Sequence, residues 1–358
     1  MDHQLSRIRE RLGDFDADAV LLSSLPNIRW ACGFTGSNGL LLVTRDAAQF
    51  VTDGRYTVQA REEVNGAEVL ISSEGLMKRL RGAGLLTSLE DVVVQADDVT
   101  IAAYRQLEER CPAVTWHPES AVLTPLVGRK EASEIERIRS AQALTEEVFE
   151  EVVDDMKPGR TEQEIAAEIT YQHLRRGAEK MAFDPIVASG PNGAHPHARP
   201  TSRPLERGDM VVVDMGAMVQ GYASDMTRTV SIGTPSEAAR DGYRVVLEAQ
   251  RRALNAARAG MTARDLDRVA RSFIDDAGLG EYFTHGLGHG VGLEVHEWPR
   301  VSHSSDDELP EGACVTIEPG VYVPEKQYGV RIEDIVVLQE GGARNLTRID
   351  KELRVLRD

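Results

Sequence analysis

Leu205-Glu-Arg-Gly-Asp-Met-Val-Val-Val-Asp-Met-Gly216 and Leu309-Pro-Glu-Gly-Ala-Cys-Val-Thr-Ile-Glu-Pro-Gly320 align without a gap. Leucine, glycine and valine match in step, the closing glycine matches, and Asp214 falls on Glu318. Each copy then enters a second apolar run with another acid: Asp225 in Ser224-Asp-Met-Thr-Arg-Thr-Val230, and Glu333 in Val330-Arg-Ile-Glu-Asp-Ile-Val336. A duplicated hairpin with an acid pair in each copy predicts one site at a pseudo-two-fold axis. The runs 211–219 and 222–232 read as strands around Gln220-Gly221. A turn centred near Val219–Gln220 sets Asp214 opposite Asp225, and one near Glu325–Lys326 sets Glu318 opposite Glu333. Like charges opposite one another on paired strands are destabilising. Buried carboxylates must be paired, protonated or metal-bound, so a cation resolves the conflict. The alternative, acids on a solvated rim, sits poorly with acids at matching places inside apolar strands.

Between the copies lies Thr284-His-Gly-Leu-Gly-His-Gly-Val-Gly-Leu-Glu-Val-His296. Glycine at 286, 288, 290 and 292 removes side chains from alternate positions, so other groups come close. That setting marks His285, His289 and His296 as site candidates. His3, His117, His173 and His303 lack it and are read as incidental.

In order, Val-Val-Asp-Met-Gly, Ser-Asp-Met-Thr-Arg-Thr, Gly-His-Gly-Val-Gly-Leu-Glu-Val-His-Glu, Thr-Ile-Glu-Pro-Gly and Gly-Val-Arg-Ile-Glu-Asp resemble the motifs of the pita-bread metallopeptidases, which include methionine aminopeptidase, aminopeptidase P and prolidase. The chain is most similar to the Xaa-Pro branch. The resemblance implies that Asp214, Asp225, His289, Glu318 and Glu333 are the metal ligands, with Asp225 and Glu333 bridging. It implies Glu318 as proton relay, and His197 and His296 as catalytic and substrate-binding donors. Ile186-Val-Ala-Ser-Gly-Pro-Asn-Gly-Ala-His-Pro-His197 is similar to the branch's substrate-histidine motif. His195 stands where that motif has an apolar residue, so the family histidine maps to His197 and His195 is left without a role. Arg300 resembles the arginine with which prolidases hold a substrate's terminal carboxylate, a task that suits a bidentate guanidinium. Arg331 would orient the acids, or serve only as a strand-face ion pair.

The expected function is a dinuclear-metal Xaa-Pro dipeptidase. The alternatives are aminopeptidase P acting on longer Xaa-Pro peptides, a related small-amide hydrolase, or a non-catalytic binding protein on the same fold. An oxygen-rich donor set with one imidazole and no thiolate suits Mn²⁺, with Co²⁺ or Zn²⁺ as alternatives. Two ions are expected, because one divalent ion would not balance four carboxylates.

The expected fold is α+β. A duplicated pita-bread catalytic domain over 130–358 has helix pairs covering a curved antiparallel sheet, and a smaller α/β N-terminal domain over 1–125 precedes it. The strands expected there are Ala19–Ser23, Gly39–Thr44, Gln49–Thr52, Glu68–Ile71 and Val92–Gln95, with Pro118–Gly128 as linker. Ser133-Glu-Ile-Glu136 and Thr161-Glu-Gln-Glu164 read as helix starts with capping boxes, and further helices start near Ser236 and Ala263. Gly159 and Thr161 match Gly260 and Thr262, so the repeat includes helices.

A net charge of −17 argues against nucleic acid or an anionic membrane as partner. The charged N-terminus, with Leu5, Ile8, Leu12 and Phe15 at helical spacing, reads as an amphipathic helix and not a leader. Cys32, Cys111 and Cys314 are far apart and fit a reducing cytoplasm. The expected partner is a small peptide with proline second, and the resemblance implies a homodimer.

Overall fold

The computed structural model describes residues 2–356, and the chain divides between Val127 and Gly128 into two units. The first unit carries a six-stranded sheet of β1 (Ala19–Leu22), β2 (Leu40–Thr44), β3 (Ala48–Asp53), β4 (Glu68–Ser72), β5 (Asp91–Gln95) and β6 (Thr115–Glu119), in the order β4-β3-β2-β1-β5-β6. Its helices are α1 (Asp2–Leu12), α2 (Leu25–Cys32), α3 (Thr57–Glu63), α4 (Leu76–Gly82), α5 (Ile101–Arg110) and the short α6 (Thr124–Val127). Side chains alternate across a strand. Ala19 and Leu21 join a core with Leu80 of α4 and Leu107 of α5, while Val20 and Leu22, on the opposite face, are also buried. The sheet is therefore covered on both sides. The 118–128 stretch is not the bare linker expected. Pro118 pairs with Val94 in β6, an edge strand where proline is tolerated, and α6 follows.

The second unit opens with α7 (Ala132–Val153) and α8 (Glu162–Arg175). The capping box of α7 is built by Glu131 and Glu134, two residues before the serine expected to cap it, whereas Thr161 and Glu164 cap α8 as read. Strands β7 (Lys180–Met181), β8 (Ile186–Ser189), β9 (Met210–Met215), β10 (Ala217–Val219), β11 (Tyr222–Ala223) and β12 (Met226–Ile232) complete the first half. The second half repeats the plan with α9 (Glu237–Ala256), α10 (Ala263–Asp276), β13 (Gly288–Gly290), β14 (Glu297–Val301), β15 (Cys314–Ile317), β16 (Gly320–Val323), β17 (Tyr328–Arg331), β18 (Asp334–Gln339) and β19 (Gly342–Asn345). The closing strand β20 (Val355–Leu356) pairs with β12 of the first half. The repeat extends to single contacts. Thr161 bridges Pro204 as Thr262 bridges Glu308, and Gly159 donates to the Leu205 carbonyl as Gly260 does to that of Leu309. Gly208 and Gly312 turn the chain at φ 91° and 80°, a left-handed conformation that glycine adopts at little cost.

Period-two alternation sets which face carries chemistry. In β9, Val211, Val213 and Met215 pack with Val148, Phe149, Ile165 and Ile169 of the first helix pair, so Asp214 points the other way. In β15, Val315 and Ile317 pack with Leu266 and Ile274 of α10, so the following acid, Glu318, points away from the helices as well.

The register corrects one expectation. Gln220 and Gly221 form a two-residue turn with φ 51° and 80°, the geometry of a tight type I′ hairpin. Thr227 therefore pairs with Asp214, and the same register brings Asp225 across from Gly216. The two acids share a face diagonally and are not opposite one another. In the second hairpin, Ile317 pairs with Asp334 and Gly320 with Arg331, which brings Glu318 across from Glu333. Position by position, Asp225 thus corresponds to Arg331, and Thr227 to Glu333.

A Cβ on Gly216 would stand 2.1 Å from the Ser224 carbonyl oxygen. We expect Gly216→Ala to cost about 1–3 kcal/mol through overpacking, read from urea unfolding of metal-free protein. An unchanged midpoint would show that the hairpin spreads freely there.

Candidate metal centre

Asp214, Asp225, His289, Glu318 and Glu333 line a cavity of about 980 Å³. Among the described residues, Asp225, His289 and Glu333 offer ligand atoms that all lie within 4.8 Å of one another. His289 Nε2 lies 3.3 Å from Glu318 Oε1 and 3.5 Å from Asp225 Oδ2. The other ring nitrogen, Nδ1, is 3.0 Å from the Gly290 carbonyl oxygen. With Nδ1 donating there, Nε2 faces the acids: protonated, it pairs with them, and deprotonated, it would offer its lone pair to a cation, the orientation a metal-binding imidazole needs. The glycines around it make this approach practicable: a Cβ on Gly288 would lie 2.1 Å from the Thr316 carbonyl oxygen, and one on Gly290 2.4 Å from that of Trp298.

Each half holds the other's acids. Arg331 of β17 donates to Asp214 Oδ2 at 2.5 Å, to Thr227 Oγ1 at 3.0 Å and to the Tyr322 hydroxyl at 2.7 Å. Thr227 donates to Glu333 Oε2 at 2.7 Å, and the Glu333 N–H to the Thr227 carbonyl. Arg228 pairs with Asp334 and donates to the Glu333 carbonyl oxygen at 2.6 Å. Arg331 thus orients an acid, though one from the opposite hairpin.

Burial, then the neighbouring carboxylates Glu333, Asp214 and Glu318, pushes Asp225 well above the usual carboxylate range. Burial and the charges of Glu318 and Asp214 do the same to Glu333. Asp214 is raised by burial against the opposing pull of Arg331. For Glu318 burial also acts upward, but the hydrogen bond and charge of His289 outweigh it and hold the group low. His289 is itself raised: burial acts downward, and Glu318 more than offsets it. These residues fit divalent cations. The donor set is oxygen-rich with one oriented imidazole, and Asp214 Oδ1 is buried without a hydrogen-bond partner.

The cavity walls carry the remaining candidates. His197, His296 and Arg300 line it, together with Phe183, Ile186 and Trp298. The His296 ring lies 4.3 Å from that of His289, and burial, then the charge of His289, lowers its pKa. Arg300 pairs with His289 across β13 and β14, and opposite residues in a ladder share a face. His195 is not on the cavity wall, and its Nδ1 is 3.2 Å from the Asn192 carbonyl oxygen. His173 is buried outside the cavity, with Nδ1 at 2.8 Å from the Ile169 carbonyl oxygen. Sequence reasoning left His285 without a task and missed Tyr322. His285 Nε2 lies 3.2 Å from the Tyr322 hydroxyl. The signal for Tyr322 was its place on the second hairpin, four residues past Glu318.

Metallopeptidase family M24 matches residues 136–340, and the creatinase/prolidase N-terminal domain matches residues 4–126. An Xaa-Pro dipeptidase from Pyrococcus horikoshii is 37% identical over 99% of each chain. A solved Xaa-Pro dipeptidase from Bacillus anthracis superposes with a TM-score of 0.95 at 35% identity, covering 99% of each chain. A solved X-Pro aminopeptidase from Thermotoga maritima superposes with a TM-score of 0.91 at 38% identity, covering 97% of this chain and 100% of that one.

The raised Asp225 gives a pH test. Its folded pKa lies above the unfolded value of about 3.9, so the stability tied to its bound proton is complete below that value. It is lost as pH rises through the folded pKa. An amide in its place has no proton to lose. In chelator, the melting temperature of Asp225→Asn should therefore exceed that of the parent by a margin that widens as pH rises from about 4. A flat or narrowing margin would show that burial does not penalise the charged form.

Proposed function

Because the chain belongs to metallopeptidase family M24 and has its pita-bread fold, we propose that it hydrolyses the bond between an N-terminal residue and a following proline. Its preferred substrates would be dipeptides. The full-length correspondence to an Xaa-Pro dipeptidase supports the bond. The observation that carries dipeptide preference is Arg300, an exposed guanidinium on the cavity wall that makes no ion pair among the described residues. A terminal carboxylate is the partner that such a group lacks.

In this reading Asp214, Asp225, His289, Glu318 and Glu333 hold two divalent cations, with Mn²⁺ the first choice and Co²⁺ or Zn²⁺ the alternatives. When bound, the cations supply an acidified water and polarise the scissile carbonyl. The remaining work falls to side chains. Glu318 is ionised and more open than its neighbours, its side chain 16% exposed against 12% for Asp214 and 6% for Asp225. It accepts the proton of the attacking water and returns it to the leaving imino nitrogen. His296 donates to the carbonyl oxygen as charge develops there. His197 holds the substrate near the leaving nitrogen, and Phe183 and Trp298 shield the prolyl ring. Residues 130–358 would form the catalytic domain and 1–125 the N-terminal domain, in a homodimer. The three buried free cysteines fit the reducing cytoplasm.

The second reading, an aminopeptidase acting on longer Xaa-Pro peptides, is favoured by the similarity to the Thermotoga enzyme and by a cavity of about 980 Å³, roomy for a dipeptide. A substrate panel under Mn²⁺ separates the two: Leu-Pro, Met-Pro, their Xaa-Pro-Yaa extensions, and dipeptides without proline. Arg300→Ala should lower kcat/KM on Xaa-Pro by about ten- to a hundredfold, the value of one charge-assisted contact, and affect tripeptides less. Equal losses on both, or none, would favour the second reading, and indifference to proline would remove both. Glu318→Gln should lower kcat about a hundred- to ten-thousand-fold with the fold kept. Near-parental turnover in folded protein with its metal content intact would remove the relay role.

A further inference from the structure

His197 stands on a loop, residues 190–200, whose regular structure is one short helical turn at Asn192–Ala194. Such a loop does not aim a side chain unless something fixes it. A single carboxylate closes both of its ends. Glu162, the first residue of α8, is 0% exposed. Its Oε1 accepts from the Ser189 N–H and hydroxyl, each at 2.7 Å. Its Oε2 accepts from Asn192 Nδ2 at 2.8 Å, the Thr201 N–H at 2.9 Å and the Thr201 hydroxyl at 2.7 Å. Ser189 and Asn192 enter the loop and Thr201 leaves it.

The middle of the loop is seated on the second half of the molecule. Arg331 donates to the Pro196 carbonyl oxygen at 3.3 Å. The Gly193 carbonyl lies so close to Gly329 that a Cβ there would stand 1.9 Å from its oxygen. With its ends tied by Glu162 and its centre resting on β17, the loop presents His197 to the cavity and leaves His195 off its wall.

Glu162 is not on the cavity wall, and its oxygens are already occupied, so it has no part in proton transfer. A buried carboxylate is costly unless it is hydrogen-bonded, and five donors reach the two oxygens of Glu162. Glutamine has nearly the same shape, but one acceptor oxygen becomes a donor. Whichever way the amide turns, it faces donors of Ser189 or Thr201 that it cannot accept from, so one end of the loop is released.

We propose that Glu162 is a positioning residue for hydrolysis, acting through the 190–200 loop to hold His197 at the substrate. The proposal rests on the role given to His197 above. The experiment is a double-mutant cycle of Glu162→Gln and His197→Ala, with kcat and KM measured on an Xaa-Pro dipeptide, together with melting temperature and Mn²⁺ content. His197→Ala should lower kcat/KM by about a hundred- to a thousandfold. Glu162→Gln should lower it by about ten- to a hundredfold, the scale of a misplaced group, with Mn²⁺ content kept. Groups acting as a unit are not additive. The double variant should therefore fall within about twofold of His197→Ala alone. Parental activity in Glu162→Gln, or a double variant losing the product of the two single losses, would overturn the proposal and leave the role of His197 standing. Parental activity in His197→Ala would overturn both. If Glu162→Gln does not accumulate as folded protein, Thr201→Val takes its place in the cycle. It removes one donor to Oε2 and keeps the carboxylate, and the same outcomes decide.

Discussion

The concentration of negative charge on one buried face is the constraint to which the rest of the catalytic unit answers. Two like charges 4 Å apart repel by about 4 kcal/mol at the effective dielectric near a protein surface, and six acids line this cavity, Asp214, Asp225, Glu318 and Glu333 among them. Arg331 offsets part of the charge at Asp214, and His289 part of it at Glu318. Asp225, 3.5 Å from His289 Nε2, and Glu333, held by the Thr227 hydroxyl, are nonetheless pushed toward their protonated forms. A divalent cation would do for them what a proton otherwise does, without giving up their charge. The apolar packing of two helix pairs on the far face of the strands holds the acid-bearing strands in place.

The tie between the halves follows from the same constraint. If each hairpin fixed only its own acids, repulsion would drive the copies apart. Instead Arg331 of the second hairpin holds Asp214 of the first, and Thr227 of the first holds Glu333 of the second. The buried Arg228–Asp334 pair carries the link deeper, with Arg228 also donating to the Thr227 and Glu333 carbonyls. Removing one partner of a buried pair leaves an uncompensated charge, so these contacts tie the two halves to one another beside the apolar packing. Neither half on its own contains a complete site.

The duplication and its face pattern were legible because alternation in a strand is a local property. Valine and isoleucine at every second position show where the acids point, and the helix starts at Thr161, Ser236 and Thr262 follow from capping chemistry read over four residues. The pairing of Asp214 was not legible, because register depends on which residues of a turn take positive φ. Moving the turn centre by one residue shifts the partner by two. Pro118 misled for a related reason: proline signals a break in a central strand but is accommodated at an edge, and edge position is set by sheet order. In the sequence Glu162 is one residue of a capping pattern, but its partners Ser189, Asn192 and Thr201 lie 27 to 39 residues away. No local pattern reports such contacts.

The register difference between the hairpins also bears on how the site works. A perfectly two-fold site would present the same chemistry to a peptide in either direction. Here the repeat is broken where it meets the cavity. The position taken by Asp225 in one hairpin is taken by Arg331 in the other, and Thr227 stands where the second copy has Glu333. The histidines add to the imbalance: His289 on β13 falls where the equivalent strand β8 of the first half has Ala188, and His197 follows β8 at a different spacing from that at which His296 follows β13. The duplicated strands supply a stiff, symmetric frame, and unequal substitutions on it give the cavity a direction. Cleavage at one defined bond, counted from a free amino terminus, requires such a direction.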